Sequence, residues 1–451
     1  MELKGKKVLV FGAGKSGIGA ADLLNAVGAC PVLYDGKADL DKESVLHKIS
    51  GNYELPIYAG ELPKEVQESL DLVVLSPGVP TDLPVVEKMK AAGIRIWGEV
   101  ELAYENAKGD VLAITGTNGK TTTTSLLGEI MKCWKESVYV VGNIGNPYTQ
   151  AAPKMTEESV TVAEISSFQL ETIDQFHPKV SAILNITEDH LNRHHTMEEY
   201  IRVKELITKN QTSEDTCVLN YEDPILRAFG ENLQIRVLFF SSERKLKQGL
   251  YLEDETIWYA DESQKLAICK TQDLNIVGKH NYENVMAAAG MALSYGVPLE
   301  KIQEAVKAFQ AVEHRIEFVT EKSGVVYYND SKGTNPDAAI KGIQAMSRPT
   351  LLIGGGYDKG SDYTEWIQSF DGKVKYLVLL GVTKEKIAET ARKCGFDNII
   401  MTESLEEAVK VCAENAESGD AVLLSPACAS WDMFPSYEVR GRRFKELVRN
   451  L

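Results

Sequence analysis

The chain is predicted to be α/β in three domains: a Rossmann-like N-terminal unit, a central unit on a larger, mostly parallel sheet, and a Rossmann-like C-terminal unit. Three observations carry this. Short β-branched runs alternate with helical patterns along nearly the whole chain, as in parallel sheets covered by helices. Glycine loops directly follow two of those runs, at Gly12–Gly17 and Gly116–Gly119. The 451 residues suffice for about three domains of ordinary size. The boundaries are expected at 1–98, 99–311 and 312–451.

In the first unit, Lys6 to Phe11 is an apolar strand. Gly12-Ala-Gly14-Lys15-Ser16-Gly17 follows, then a helical pattern through Leu23, Leu24 and Val27. Pro31 to Tyr34 is a second strand, ending at Asp35. This is a G-x-G-x-x-G turn with an acid about twenty residues on, in strand–turn–helix context. Such a loop holds any pyrophosphate, and the acid can bond a ribose hydroxyl or a base N–H. On the motif alone a nicotinamide or flavin cofactor, another nucleotide and a structural turn all remain open. Leu72 to Ser76 is a further strand, broken by Pro77-Gly78. Pro84 to Ala92 is helical, Ile94 to Trp97 is extended, and Gly98-Glu99 marks the boundary.

The second unit opens on Val111 to Thr115, a buried strand by composition. Gly116 and Gly119 free the backbone for a tight turn. A helix follows, with Leu126, Leu127, Ile130 and Met131 at helical spacing. Strand, glycine loop and helix start form an anion cradle, because loop amides and the helix dipole point at one place. Lys120 adds a full charge, and Thr121 offers a hydroxyl where Mg2+ sits beside phosphates. Ile114 occupies the position of the first glycine of the strict P-loop, so this is a variant loop. The bland reading is a structural glycine turn.

Three more strands end near that loop: Val138–Val141 before Gly142-Asn-Ile-Gly145, Val160–Ile165 around Glu164, and Val180–Ile186 before Thr187-Glu-Asp-His190. An open parallel sheet builds its site at strand C-termini. Asn143, Glu164 and His190 are thus delivered to the edge that carries the phosphate loop, which suggests metal and phosphate chemistry. Singly, Glu164 reads as an exposed strand-end acid and His190 as a capping or core histidine. A helix is expected from Met197 to Thr208. Lys204 falls inside its apolar stripe, between Tyr200 and Ile207. A lysine there must snorkel, pair with an acid, or lose its charge.

Beyond residue 250, Leu250–Ala260 and Lys265–Thr271 read as antiparallel strands. Val277–Asn284 leads into a small-residue helix, Val285–Tyr295, and Pro298–Phe309 is another helix. Glu313-His-Arg315 sits at a hinge. The third unit follows, with strands and polar loops at Tyr327–Asn335, Leu351–Gly356, Val374–Gly381 and Ala421–Ser430.

Lys plus Arg is 49 and Asp plus Glu is 65, a net charge of −16. That balance disfavours a nucleic-acid partner. No apolar run reaches transmembrane length, and the N-terminus enters a strand without a signal-peptide core. Seven cysteines without CxxC spacing fit a reducing cytoplasm and argue against disulfides or a zinc site.

In combination the motifs resemble the Mur ligases over essentially the whole chain. The carrying stretches are Thr-Gly-Thr-Asn-Gly-Lys-Thr at 115–121, Gly-Asn-Ile-Gly at 142–145, Glu-Ile-Ser-Ser-Phe-Gln-Leu-Glu at 164–171 and Asn-Ile-Thr-Glu-Asp-His at 185–190. His-Asn-Tyr-Glu-Asn at 280–284, His-Arg at 314–315, Asn-Asp-Ser-Lys at 329–332 and Ser-Pro-Ala-Cys-Ala-Ser at 425–430 continue them. Ser-Ser-Phe-Gln and Ser-Pro-Ala-Cys-Ala-Ser point to the D-glutamate-adding branch. Gly333 departs from a common alanine, and Asn192 from a common aspartate.

The resemblance implies an ATP-dependent ligase that joins D-glutamate to UDP-N-acetylmuramoyl-L-alanine through an acyl phosphate, in peptidoglycan precursor synthesis. It implies that the first domain binds the UDP part of the substrate: Gly14, Lys15, Ser16 and Gly17 the diphosphate, Asp35 the uracil, Ser76 beside them, with Asn143 and His190 orienting the substrate. It places ATP on Gly116, Thr117, Asn118, Gly119, Lys120, Thr121 and Thr122, with Asn281, Asn284, Arg315 and Asp330. It places D-glutamate on Thr334, Lys359, Ser430 and the Tyr437 backbone. Two Mg2+ ions are implied, one on Thr121 and Glu164, the other shared by His190 and a CO2-derived carbamate on Lys204. Lys120, Glu164, His190 and Lys204 are the implied catalytic set. Arg315 and Asp330 lie beyond the hinge, so the third domain is expected to close when ligands bind. The protein is expected to be a cytoplasmic monomer. Family relatives that act on folates begin near the phosphate loop, and the additional first domain argues against that activity. An NAD-dependent oxidoreductase leaves the phosphate loop unexplained. A P-loop switch protein predicts hydrolysis without a small acceptor.

Overall fold

Runs of β-branched and aliphatic residues form three sheets because each run is apolar on both faces and must be covered on both. The computed structural model describes every residue other than Met1, Asn52, Ile144, Gly145, Val277 and Ala311, with Asn192 described in its backbone only. The end of the Gly142–Gly145 turn, the start of the Val277–Asn284 segment and the expected boundary residue 311 lie outside the described residues. The chain divides into two compact units, Met1–Lys270 with Glu283–Val306, and Thr271–Tyr282 with Lys307–Leu451.

The first unit holds two sheets. The N-terminal one comprises β1 (Lys7–Phe11), β2 (Cys30–Asp35), β3 (Ile57–Ala59), β4 (Leu72–Leu75) and β5 (Arg95–Gly98), in order β3-β2-β1-β4-β5. All its pairs are parallel. The order reverses between β1 and β4, which opens a crevice at their C-terminal ends. The helix Glu99–Tyr104 leaves β5 directly. Its buried Glu99 accepts from the Thr149 amide and hydroxyl, at 3.0 and 3.1 Å. Buried Glu101 accepts from the amides of Asp174, Gln175 and Phe176. These two carboxylates tie the segment after the first sheet to loops of the second.

The central sheet comprises β6 (Asp110–Thr115), β7 (Val138–Gly142), β8 (Val160–Glu164), β9 (Val180–Ile183), β10 (Thr216–Asn220), β11 (Arg236–Ser241), β12 (Gly249–Glu253), β13 (Thr256–Ala260) and β14 (Lys265–Lys270). Their order is β14-β13-β12-β11-β10-β9-β6-β8-β7, parallel from β7 to β12 and antiparallel at β13 and β14. The run expected as one strand, Leu250–Ala260, is instead a hairpin. Asp254 and Glu255 turn it with φ of +49° and +54°. Positive φ at both central residues is the type I′ requirement, here met without the usual glycine. The strand expected to reach Ile186 stops at Ile183. Beyond it the chain braces the phosphate loop.

The second unit holds β15 (Glu317–Lys322), β16 (Val325–Asn329), β17 (Thr350–Gly354), β18 (Val374–Leu379), β19 (Ile399–Met401) and β20 (Ala421–Leu424), in order β15-β16-β20-β17-β18-β19. Only β15 is antiparallel. β20 inserts between β16 and β17, so the C-terminal ends of these three strands lie side by side.

Candidate active site

At the N-terminal crevice, Gly17 packs against Gly12 so closely that a Cβ on Gly17 would stand 1.8 Å from the Gly12 carbonyl oxygen. Gly14 caps the helix Lys15–Ala26, and no side chain occupies that cap. The helix start therefore offers amides and a positive dipole end to an anion. Asp35 accepts from the amides of Ala13 and Lys37, each at 3.0 Å, and so stiffens the loop. Ser76 donates to the Gly12 carbonyl at 3.3 Å. Gly14, Lys15, Ser16, Gly17, Asp35 and Ser76 are thus brought to one edge. Nearby, Ser76, Thr81, Phe168, Gln169, Thr172 and Arg193 border a gap too narrow to admit a water molecule. Arg193, which the sequence reading passed over, clamps Glu171 at 3.1 and 2.5 Å and donates to the Val79 carbonyl.

The phosphate loop follows β6. Gly119 has φ +88° and caps the helix Lys120–Lys132. A Cβ there would lie 2.3 Å from Asn284 Oδ1, so only glycine fits both the turn and its neighbour. The Thr117 amide donates to the Asn185 carbonyl, and the Asn118 amide to Asn185 Oδ1. The Thr117 hydroxyl donates to the Thr187 carbonyl at 3.1 Å. Lys120 folds back to the carbonyls of Gly116 and Thr117, at 2.7 and 2.8 Å. Its ammonium therefore lies over the loop, where a phosphate would sit. Thr121 and buried Thr122 form the first turn behind it. Thr123 donates to Asn284 Oδ1 at 3.3 Å, which sets Asn284 against the same turn.

Register places Glu164 beside Ile114, the next strand over from the loop. Asn143 Nδ2 donates to Glu164 Oε1 at 2.8 Å, while Oε2 is buried with no hydrogen-bond partner. A buried carboxylate oxygen of that kind suits a hard cation. Lys204 lies in the helix Met197–Glu205 and is 1 % exposed. It does not snorkel, forms no ion pair among the described residues although the Asp189 charge acts on it, and donates to the Gly116 carbonyl at 2.8 Å. Burial, with the Lys120 charge adding to it, holds its ammonium well below the usual lysine range. His190 stands exposed in a left-handed conformation, its ring edge-on to Phe168 at 4.9 Å. Among the described residues, histidine and carboxylate ligand atoms cluster at Glu313, His314 and Glu317. There the Lys445 ammonium already bonds both carboxylates, at 2.6 and 2.8 Å.

In the second unit, Asp330 follows β16 and is fully buried. It accepts from the Ser425 hydroxyl at 2.7 Å and from the Ile316 amide at 3.3 Å. Burial lifts its carboxyl to about 6, against the pull of Arg315. Arg315 lies between His314 and Ile316, at φ +68° and +45°, both unusual for side-chain-bearing residues. Asn329 Nδ2 donates to His314 Nδ1 at 2.9 Å and holds that turn. Asn281 belongs to this unit, and Asn284 to the first.

The expected amino-acid residues gather at the β16, β20 and β17 ends. Ser430 Oγ is buried and has no hydrogen-bond partner among the described residues. Lys359 is exposed in the loop after β17, Thr334 is half-buried after β16, and Tyr437 opens the helix Tyr437–Arg449. The sequence reading missed Arg440. It is 2 % exposed and donates to the Ser331 hydroxyl and to the carbonyls of Ser331, Cys428 and Ala429. Burial lowers it to about 10. No sequence signal marked it, because its partners at Ser331 and Cys428–Ala429 lie far from it along the chain.

The sequence between residues 6 and 98 matches the description "Mur ligase MurD-like, N-terminal domain". Residues 114–292 match "Mur ligase middle domain", and residues 314–428 match "Mur ligase, glutamate ligase domain". The chain belongs to the Mur ligase family. A UDP-N-acetylmuramoylalanine–D-glutamate ligase of Lachnoclostridium phytofermentans is 59 % identical over 451 residues, covering 100 % of this chain and 99 % of the relative. Its counterpart of Lachnospira eligens is 57 % identical, covering 100 % of both. The crystal structure of UDP-N-acetylmuramate-alanine ligase MurC from Thermotoga maritima superposes with TM-score 0.61 over 99 % of each chain at 19 % identity, a likeness of fold. The three-domain α/β class expected from sequence is therefore that of this Mur ligase. Among its described residues no helix is long and apolar enough to cross a membrane.

Proposed function

We propose that this Mur ligase joins the alanyl carboxylate of UDP-N-acetylmuramoyl-L-alanine to the amine of D-glutamate, with ATP converted to ADP and phosphate, in cytoplasmic peptidoglycan synthesis. One observation carries the chemistry. A buried lysine and a partnerless buried carboxylate oxygen flank a single phosphate loop, all in a chain 59 % identical throughout to a relative of that name.

Amide formation from a carboxylate is uphill in water, so the acid must be activated. The alanyl carboxylate attacks the γ-phosphorus and ADP leaves, giving an acyl phosphate. The D-glutamate amine then attacks the acyl carbon, and phosphate leaves as the amine sheds a proton. Lys120 turns from the loop carbonyls to the transferring phosphoryl group and draws charge from it. Gly116, Thr117, Asn118, Gly119, Thr121 and Thr122 hold the ATP phosphates. Asn281, Asn284, Arg315 and Asp330 bind the rest of the nucleotide. Gly14, Lys15, Ser16, Gly17, Asp35 and Ser76 hold the UDP portion, with Asn143 and His190 orienting the acceptor. Thr334, Lys359, Ser430 and the Tyr437 backbone take D-glutamate, an ammonium and hydroxyls suiting a small dicarboxylate.

Thr121 and Glu164 would hold one Mg2+, and His190 with Lys204 a second. Bound there, Mg2+ supplies charge neutralisation at the phosphates. A neutral Lys204 amine can add CO2 and lose a proton, and the resulting carbamate offers two oxygens in place of an ammonium. We keep the domain limits at 98/99 and 311/312, and the protein as a monomer.

The test is phosphate release from ATP and UDP-N-acetylmuramoyl-L-alanine, with and without D-glutamate. Release is expected only with both substrates. Equal turnover with L-glutamate, or release without the UDP substrate, would overturn the reading.

A further inference from the structure

Two loops meet at the amino-acid end of the second unit. The Tyr357 amide donates to the Ala429 carbonyl at 2.9 Å, an antiparallel bridge that pins the loop after β17 to the loop after β20. The bridge brings Lys359, two residues on from Tyr357, to the same edge as the partnerless hydroxyl of Ser430. Trp431, next to that serine, is 63 % exposed. An exposed tryptophan costs apolar surface in water and calls for a reason. Its ring packs on Tyr357, centroids 5.5 Å apart, and Lys359 Nζ lies 5.9 Å from its centroid. Asp358, the acid beside Lys359, is taken by Lys386 at 3.2 Å. The indole face is thus the surface on which this lysine is seated.

We infer that Trp431 is a positioning residue for the incoming amino acid: it seats the Lys359 ammonium beside Ser430 so that the lysine meets a carboxylate of the substrate. The inference rests on the amino-acid site proposed above. A lysine has several rotatable bonds, and an unseated one spends little time in the binding pose. The ring face narrows that choice without neutralising the charge, which an acid would do.

The test compares Trp431→Leu with Trp431→Phe in the full-length enzyme. Phenylalanine keeps a ring face, and leucine keeps apolar bulk alone. The KM for D-glutamate is expected to rise about two- to fivefold in the leucine variant, the range of an exposed cation–π contact, and to stay near wild type in the phenylalanine variant. The KM values for ATP and the UDP substrate should hold in both, as should the melting temperature, because the ring is mostly in water. An unchanged D-glutamate KM in the leucine variant overturns the inference, and so does an equal loss of kcat in both variants. A wild-type enzyme that needs no D-glutamate would sink the proposed activity itself, and this inference with it.

Discussion

The buried Nζ of Lys204 donates to the Gly116 carbonyl at 2.8 Å, which ties the helix after His190 to the first residue of the phosphate loop. Burial and the Lys120 charge both disfavour the ammonium there. A neutral amine is the form that reacts with CO2. Lys204→Ala is therefore expected to lower turnover on the order of a hundredfold, with partial recovery when a short carboxylate such as formate is added. A carbamate signal from 13C-bicarbonate in the wild-type protein, absent in the variant, is the second readout. Full activity in Lys204→Ala would remove the carbamate from the mechanism.

Lys120 spans the loop from its half-buried position and bonds two loop carbonyls. Lys120→Ala should leave the circular-dichroism spectrum and the melting profile as they are. Phosphate release should fall by at least about a hundredfold, because charge on the phosphoryl group loses its stabilising donor. Near-normal rates would exclude the loop from the reaction.

Gly119 combines φ +88° with a neighbour, Asn284 Oδ1, that stands 2.3 Å from where a Cβ would be. Gly119→Ala strains the backbone, at about 1–3 kcal/mol, and displaces Asn284. Both effects fall on the nucleotide. The KM for ATP should rise and thermal stability should drop by a few degrees. The KM for D-glutamate, whose proposed residues all lie in the second unit, should stay close to wild type. An unaltered ATP KM would mean that Asn284 does not touch the nucleotide.

Most of the parallel sheet was legible because buried strands announce themselves as β-branched runs, and the glycine loops because glycine alone tolerates their geometry. What escaped had no such signal. The Asp254-Glu255 turn uses residues that ordinarily avoid positive φ. The carboxylates of Glu99 and Glu101 carry no motif, yet both are buried on backbone donors supplied from distant segments of chain. Arg440 carries no motif, and its carbonyl cradle comes from two separate stretches of chain, at Ser331 and at Cys428–Ala429. For Lys204 periodicity foretold burial. Its bond to the Gly116 carbonyl became visible only in three dimensions. At the amino-acid edge, the resemblance supplied Lys359 and Ser430, and the Tyr357–Ala429 bridge that joins their loops became visible only in three dimensions.

Asp330 sets stability against function. Its carboxyl is fully buried and, among the described residues, accepts from the Ser425 hydroxyl and the Ile316 amide, and burial raises it from the ordinary 3.8 to about 6. A raised carboxyl favours the protonated form in the folded state. Folding is therefore unhindered by this group below the unfolded value, and loses stability as pH rises from about 4 through about 6. Above that window the ionised side chain costs roughly 3 kcal/mol, from two pKa units at about 1.4 kcal/mol each. Asp330→Asn keeps the shape and both hydrogen bonds, with the amide oxygen facing Ile316 and the amide nitrogen facing the serine hydroxyl. Because it cannot ionise, the variant should melt several degrees higher than wild type at pH 8. The gap should narrow at pH 5 and nearly close at pH 4. Turnover should move the other way at pH 8, where the nucleotide site loses its anion. Scanning calorimetry at the three pH values, paired with phosphate release, reads both effects. A melting difference that is the same at pH 4 and pH 8 would show that Asp330 carries no raised carboxyl, and full turnover in the variant would free it from the nucleotide site.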